Sequence, residues 1–80
     1  MDSLSAINDA IFNLERIIAD LNHNYKQIND KLNTSSSQDE ITLLNRNLQM
    51  VGQTLDQQNS YLNNLKAKQQ EVLKMGLINQ

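Results

Sequence analysis

From Leu4 to Leu32 the apolar residues recur in steps that alternate three and four: Leu4, Ile7, Ile11, Leu14, Ile18, Leu21, Tyr25, Ile28, Leu32. A 3.5-residue repeat lays a single stripe along one face of an α-helix. A second run keeps the same rule through Ile41, Leu44, Leu48, Val51, Leu55, Gln58, Leu62, Leu65, Gln69 and Val72. The next positions on that template are Gly76 and Asn79, so the apolar stripe stops at Val72. The pattern predicts a helix over about 3–32, a loop over 33–37, a second helix over about 38–75 and a short tail, 76–80.

The ends of the two runs carry matching signals. Asp2 and Ser3 can cap the first helix, and Lys26 and Lys31 sit where the negative end of the helix dipole favours a cation. Ser37 and Glu40 have capping-box spacing, with Asp39 and Glu40 loading the first turn of the second helix with negative charge. Lys66, Lys68 and Lys74 lie toward its other end. There Gly76 is expected to terminate the helix as a left-handed cap, with Leu77 packing back on the last turn.

Between the runs, Asn33-Thr34-Ser35-Ser36-Ser37 is polar and rich in side chains that hydrogen-bond their own backbone. One unbroken helix is the competing reading, and phase argues against it. Continuing the first stripe past Leu32 puts core positions at Ser35 and Asp39, whereas the second stripe starts at Ile41. A break that folds the chain back into an antiparallel αα-hairpin resolves the mismatch. At ~1.5 Å per residue the helices reach roughly 45 Å and 57 Å, so the second should overhang the first near its C-terminal end. The expected fold class is all-α: a coiled-coil-like helical hairpin within a larger bundle.

Composition narrows the chemistry. The 80 residues contain no Pro, Cys or Trp, and suffice for one small domain with a limited core. Absence of Pro permits long helices; absence of Cys excludes disulfides and thiolate metal sites. A net charge of −2 gives no general attraction to nucleic acid or anionic lipid. No apolar run approaches the ~20 residues of a membrane span, and the N-terminus lacks a signal peptide's regions. The chain is therefore expected inside a cell, cytoplasmic by default, in solution or within an assembly.

Catalysis and metal binding find little to work with. Asp9, Glu15, Asp20, Asp30, Asp56 and Glu71 fall mostly off the stripes, and paired carboxylates need a cleft. Ser35-Ser36-Ser37 lacks an adjacent base, and no glycine-rich phosphate loop exists. His23, the single histidine, lands opposite the stripe, with Asp20 at most a weak surface partner; no ligand set surrounds it. Lys66, Lys68 and Lys74 form a short basic cluster offset by Glu71, which reads as helix-end charge rather than a nucleic-acid face. Asn33-Thr34-Ser35 matches a glycosylation acceptor but has no secretory signal with it. No enzyme activity, cofactor, metal or small-molecule substrate is expected.

Binding to other helices is expected instead. Phe12 and Ile17 flank the first stripe, and Leu43, Met50, Leu73 and Met75 lie off the second, more than a lone hairpin can cover. The isolated monomer should be marginal, with copies of itself or a helical partner supplying the rest. One side of the seam should be Ile7, Ile11, Leu14, Ile18, Leu21 and Ile28; the other Leu44, Leu48, Val51, Leu55, Gln58, Leu62 and Leu65. Gln58, a polar residue on an apolar stripe, reads equally as a register-setting layer or as a wet position. Gly52, mid-helix beside Val51, reads either as a place where a neighbouring helix approaches closely or as a tolerated glycine. Met75, Leu77 and Ile78 form a further apolar contact beyond the reach of the first helix.

Around Gln58, the set Val51-Gly52, Leu55-Asp56, Gln58-Asn59, Leu62 and Leu65 resembles the middle of a Q-type SNARE motif, whose central layer is a Gln in a heptad stripe. The likeness implies hetero-bundles with membrane-anchored coils, and departs from the family where Thr34 and Ser37 occupy the early layers. Arg16-Ile17-Ile18 and Asn47-Leu48-Gln49-Met50-Val51-Gly52 resemble segments of the small helical subunits of the fungal kinetochore DASH ring. In size and hairpin shape alone, the chain is similar to type III secretion needle subunits and their small chaperones, without the needle proteins' Pro-containing turn. The leading expectation is a structural or assembly subunit, with a small chaperone for a helical partner as the alternative.

Overall fold

The computed structural model describes the backbone over residues 3–78 and side chains over 3–76. It holds two helices, α1 (Ser3–Thr34) and α2 (Gln38–Ile78), packed against each other as an all-α helical hairpin. Asn8 on α1 meets Gln69 on α2, and Tyr25 meets Gly52, so the helices run antiparallel. Among the described residues no helix is long and apolar enough to cross a membrane.

The turn is tighter than the five-residue loop expected from sequence: it spans residues 35–37. Asn33 and Thr34 complete the last turn of α1 because Thr34 caps its own helix. Its Oγ1 donates toward the carbonyls of Lys31 at 3.2 Å and Asp30 at 3.4 Å, which a helix C-terminus otherwise leaves to solvent. Ser37 then starts α2. Its carbonyl accepts from the Ile41 N–H at 2.9 Å and its Oγ from the Glu40 N–H at 3.4 Å, the geometry of an N-cap. Ser35 behaves differently from its neighbours, since its buried Oγ has no hydrogen-bond partner. Ser37→Ala should therefore lower the unfolding free energy by about 1 kcal/mol, read from urea titrations. An unchanged midpoint would show that the cap adds nothing beyond solvent.

The expected stop at Gly76 is absent. α2 continues through it to Ile78, and no glycine has a positive φ. The reason is the overhang. The register set by Asn8–Gln69 and Tyr25–Gly52 brings Ser3 abreast of Lys74, so the described part of α1 ends before the level of Gly76. A Cβ added at Gly76 would meet no atom within 4 Å. With no packing to turn the chain and no Pro to break it, the helix continues. The packing of Leu77 and Ile78, the Asp2 cap and the template position Asn79 lie outside the described side chains.

The seam is thin. Ile11, Leu14, Leu55 and Leu62 are buried, and Ile7, Ile18 and Leu65 pack against the cluster of Ile11, Leu14 and Leu62. No polar or charged residue among those described is buried. The 41 residues of α2 correspond to about 61 Å of helix, which accounts for a molecule of 63 × 17 × 15 Å. The radius of gyration, 18.3 Å, exceeds the roughly 12 Å of a compact chain of this length. The accessible surface, 6255 Å², likewise exceeds the roughly 4,900 Å² of a compact 9.1 kDa monomer. A two-helix layer has no third element to cover its flanks.

Candidate helix-binding surface

An antiparallel pair has two edges, one on each side of the seam. The row one residue behind the seam on α1 passes through Ala10, Asn13, Ile17, Asp20, Asn24, Gln27 and Lys31; the corresponding row on α2 passes through Leu43, Asn47, Met50, Thr54, Gln57, Tyr61, Asn64, Lys68, Glu71 and Met75, so its apolar members alternate with polar ones. The fold brings these rows to the same edge. A groove lined by Asn24, Gln27, Ile28 and Lys31 from α1 and by Leu44, Asn47, Met50 and Val51 from α2 shows them facing one another. Two further depressions are each lined by a single helix, one by Asn13, Arg16, Ile17 and Asp20 of α1 and one by Tyr61, Asn64, Lys68 and Glu71 of α2.

Large apolar side chains collect on that edge. Ile17, Leu43, Met50, Tyr61 and Met75 are all exposed there, Met50 at 60% and Tyr61 at 56%. Of the other exposed large apolar residues, Phe12 and Leu73 lie on the opposite edge and Tyr25 within the seam row.

The residues expected in the seam divide by depth. Ile11, Leu14, Leu55 and Leu62 are buried, while Ile7, Ile18, Leu21, Ile28, Leu44, Leu48, Val51 and Leu65 are half-buried. Gln58 is also half-buried, between the buried Leu55 and Leu62, so two helices alone do not enclose it as a polar layer. A polar link forms elsewhere. Gln69 Nε2 donates to Asn8 Oδ1 at 2.8 Å, a side-chain hydrogen bond between α1 and α2. Asn8 was not singled out from sequence, because its partner becomes identifiable only once the register between helices is known. Tyr61 was missed for a similar reason: it lies off both stripes and gains meaning only beside Met50 and Ile17.

Gly52 does face α1, but its neighbour is a side chain rather than helix backbone. A Cβ built there would lie 3.7 Å from Tyr25 Cε2, an ordinary contact. Within the hairpin, then, α1 does not bring its backbone close to this glycine. Gly52→Ala should raise hairpin stability by about 1 kcal/mol, the helix-propensity difference, seen as a higher melting temperature. A lower one would show that the Tyr25 ring needs the extra space.

His23 is exposed, as are Asp9, Glu15, Asp20, Asp30, Asp56 and Glu71. Among the described residues, no three His, Cys, Asp or Glu side chains group as a metal site. No protein family, curated protein or solved structure matches the chain. The SNARE-like and DASH-like segments thus rest on the residues quoted for them.

Proposed function

We propose that this chain is a non-enzymatic assembly subunit that binds helices, its own copies or a partner's, and completes a three- or four-helix coiled-coil bundle. The row of exposed apolar side chains along one edge supports this, in a molecule that buries only Ile11, Leu14, Leu55 and Leu62. Burying apolar surface is the main driving force for both folding and association, and here the fold leaves much of it to association. The seam residues hold the hairpin together, and the edge residues recruit the next helix. A hetero-bundle of the kind the SNARE-like and DASH-like segments imply is one form of this role.

The open groove beside Ile28, Leu44 and Val51 supports a second reading, a small chaperone that covers a partner's amphipathic helix. The two readings differ in the free state: a chaperone keeps the groove empty, whereas an assembly subunit fills it.

Circular dichroism melts and sedimentation over a dilution series from about 1 to 100 µM test the assembly role, since association makes the melting temperature rise with concentration. A rising midpoint with a mass above the monomer is expected. A chain unfolded alone that folds on addition of a helical partner also fits. A cooperatively folded monomer with a constant midpoint overturns the proposal.

A further inference from the structure

We infer that the turn carries a pairing lock: a slip of phase between the two stripes stops two copies from exchanging helices into an unbroken two-chain rod. The lock acts on the seam alone, whatever covers the edge. The unit that enters any assembly is then a closed hairpin, with α1 and α2 of one chain held together.

A hairpin of two long helices has a ready competitor. Two copies that straighten their turns can each lay α1 on the other's α2, which repeats the seam contacts without a turn. Short turns favour such exchange. This one spans three residues, and the buried Ser35 Oγ within it has no hydrogen-bond partner. Composition does not forbid a continuous helix either, since the chain has no Pro, and Gly52 and Gly76 are both helical.

Phase forbids it. Leu32 and Ser35 are half-buried where α1 runs into the turn, three residues apart on one stripe. Ile41 and Leu44 are half-buried where α2 leaves it, and their stripe, carried back four residues from Ile41, reaches Ser37. The two frames thus differ by two residues, from Ser35 to Ser37. Two residues turn a helix by about 200°. An unbroken helix would therefore set Ile28 and Leu32 on one face and Ile41 and Leu44 on nearly the opposite one. Two hairpins keep two seams, whereas two such rods laid side by side form only one.

The test separates phase from turn composition. Deleting Ser35 and Ser36 leaves Leu32 and Ile41 seven residues apart, within about 20° of each other around a helix. The rod then has a continuous stripe, and one residue remains to make the turn. Ser35→Ala/Ser36→Ala/Ser37→Ala instead raises helix propensity through the turn while leaving the slip in place. Each change is placed in a chain that also carries Asn8→Cys/Gln69→Cys, at the pair that bonds across the seam. No other cysteine is present, so a short bismaleimide followed by a denaturing gel shows whether the link lies within a chain or between two. Hairpins that associate side by side still link within their own chains, so the result is separate from that of the dilution series.

The unaltered turn and the triple alanine variant are expected to link within one chain. The deletion variant is expected to link between chains, with a maximum dimension in small-angle scattering that rises from the 63 Å of the hairpin to about 110 Å. Links between chains in the unaltered or the alanine turn overturn the lock. So does a deletion variant that links within one chain. A deletion variant without helical signal overturns it as well, because the in-phase rod keeps every layer of the seam.

Discussion

Leu14→Ala is expected to remove a third or more of the stability of the isolated hairpin. Leu14 is the most deeply buried of the core residues, at 6% exposure, and packs with Ile11 and Leu62. Truncating a buried Leu to Ala costs about 2–5 kcal/mol through lost transfer energy and the cavity left behind. A chain of this size has on the order of 4–12 kcal/mol to lose, and one with so thin a seam sits toward the lower end. The loss is therefore a third or more of the total stability. Far-ultraviolet circular dichroism at low concentration reads it directly, as a fall in helical signal at room temperature or a melt displaced by many degrees. Leu43→Ala is the matched control, because the same atoms are removed from a side chain 57% exposed; its cost should stay within about 0.5 kcal/mol. Equal losses for the two would mean that the Ile11–Leu14–Leu62 cluster is not where the stability resides.

That contrast shows what the sequence made legible. Both stripes follow from spacing alone, because a seam between helices leaves a 3.5-residue trace whatever the partner. The fold-back is equally legible. Nine residues separate Leu32 from Ile41, about two and a half turns at ~3.6 residues per turn, so an unbroken rod would set the stripes on opposite faces. Exact boundaries were harder to read, because they depend on local contacts that compete with composition. Thr34 is a loop former by propensity, yet its hydroxyl satisfies carbonyls of α1 and stays helical. Gly76 is a helix terminator by habit, yet a Cβ there would meet no atom within 4 Å, and the helix runs on through it.

The surface was legible only in pieces. Ile17, Leu43, Met50 and Met75 stand out as surplus apolar residues in one dimension, but nothing along the chain says that they share an edge. That depends on the antiparallel register, which the three-residue turn and the Asn8–Gln69 bond set together. A shift of one residue in that register would bring different pairs abreast, so the groove lined by Asn24, Lys31, Asn47 and Met50 is a property of the pair of helices. Gln58 shows the converse. Its place on the stripe is plain from sequence, but its enclosure depends on how many helices surround it, and two leave it half-buried.

Burial is also uneven along the hairpin, and the dynamics should follow it. Ile11, Leu14 and Leu62 lie in the half away from the turn and Leu55 lies near the middle of α2, whereas Ile28, Leu32, Ile41, Leu44 and Leu48 near the turn are only half-buried. Residues at the turn stay close because the chain connects them; the far half stays close because its side chains pack. Opening of the turn half therefore exposes less apolar surface and requires less free energy. In amide hydrogen exchange at low concentration, residues 11–18 and 55–65 should exchange at least about tenfold more slowly than residues 26–31 and 42–48, a difference of roughly 1.4 kcal/mol in opening free energy. Addition of whatever covers the edge should slow the turn half most, since Ile28, Leu44 and Val51 border the groove that would be filled. Uniform protection would mean that the hairpin opens as one unit, and greater protection at the turn would place the stabilising contacts there instead.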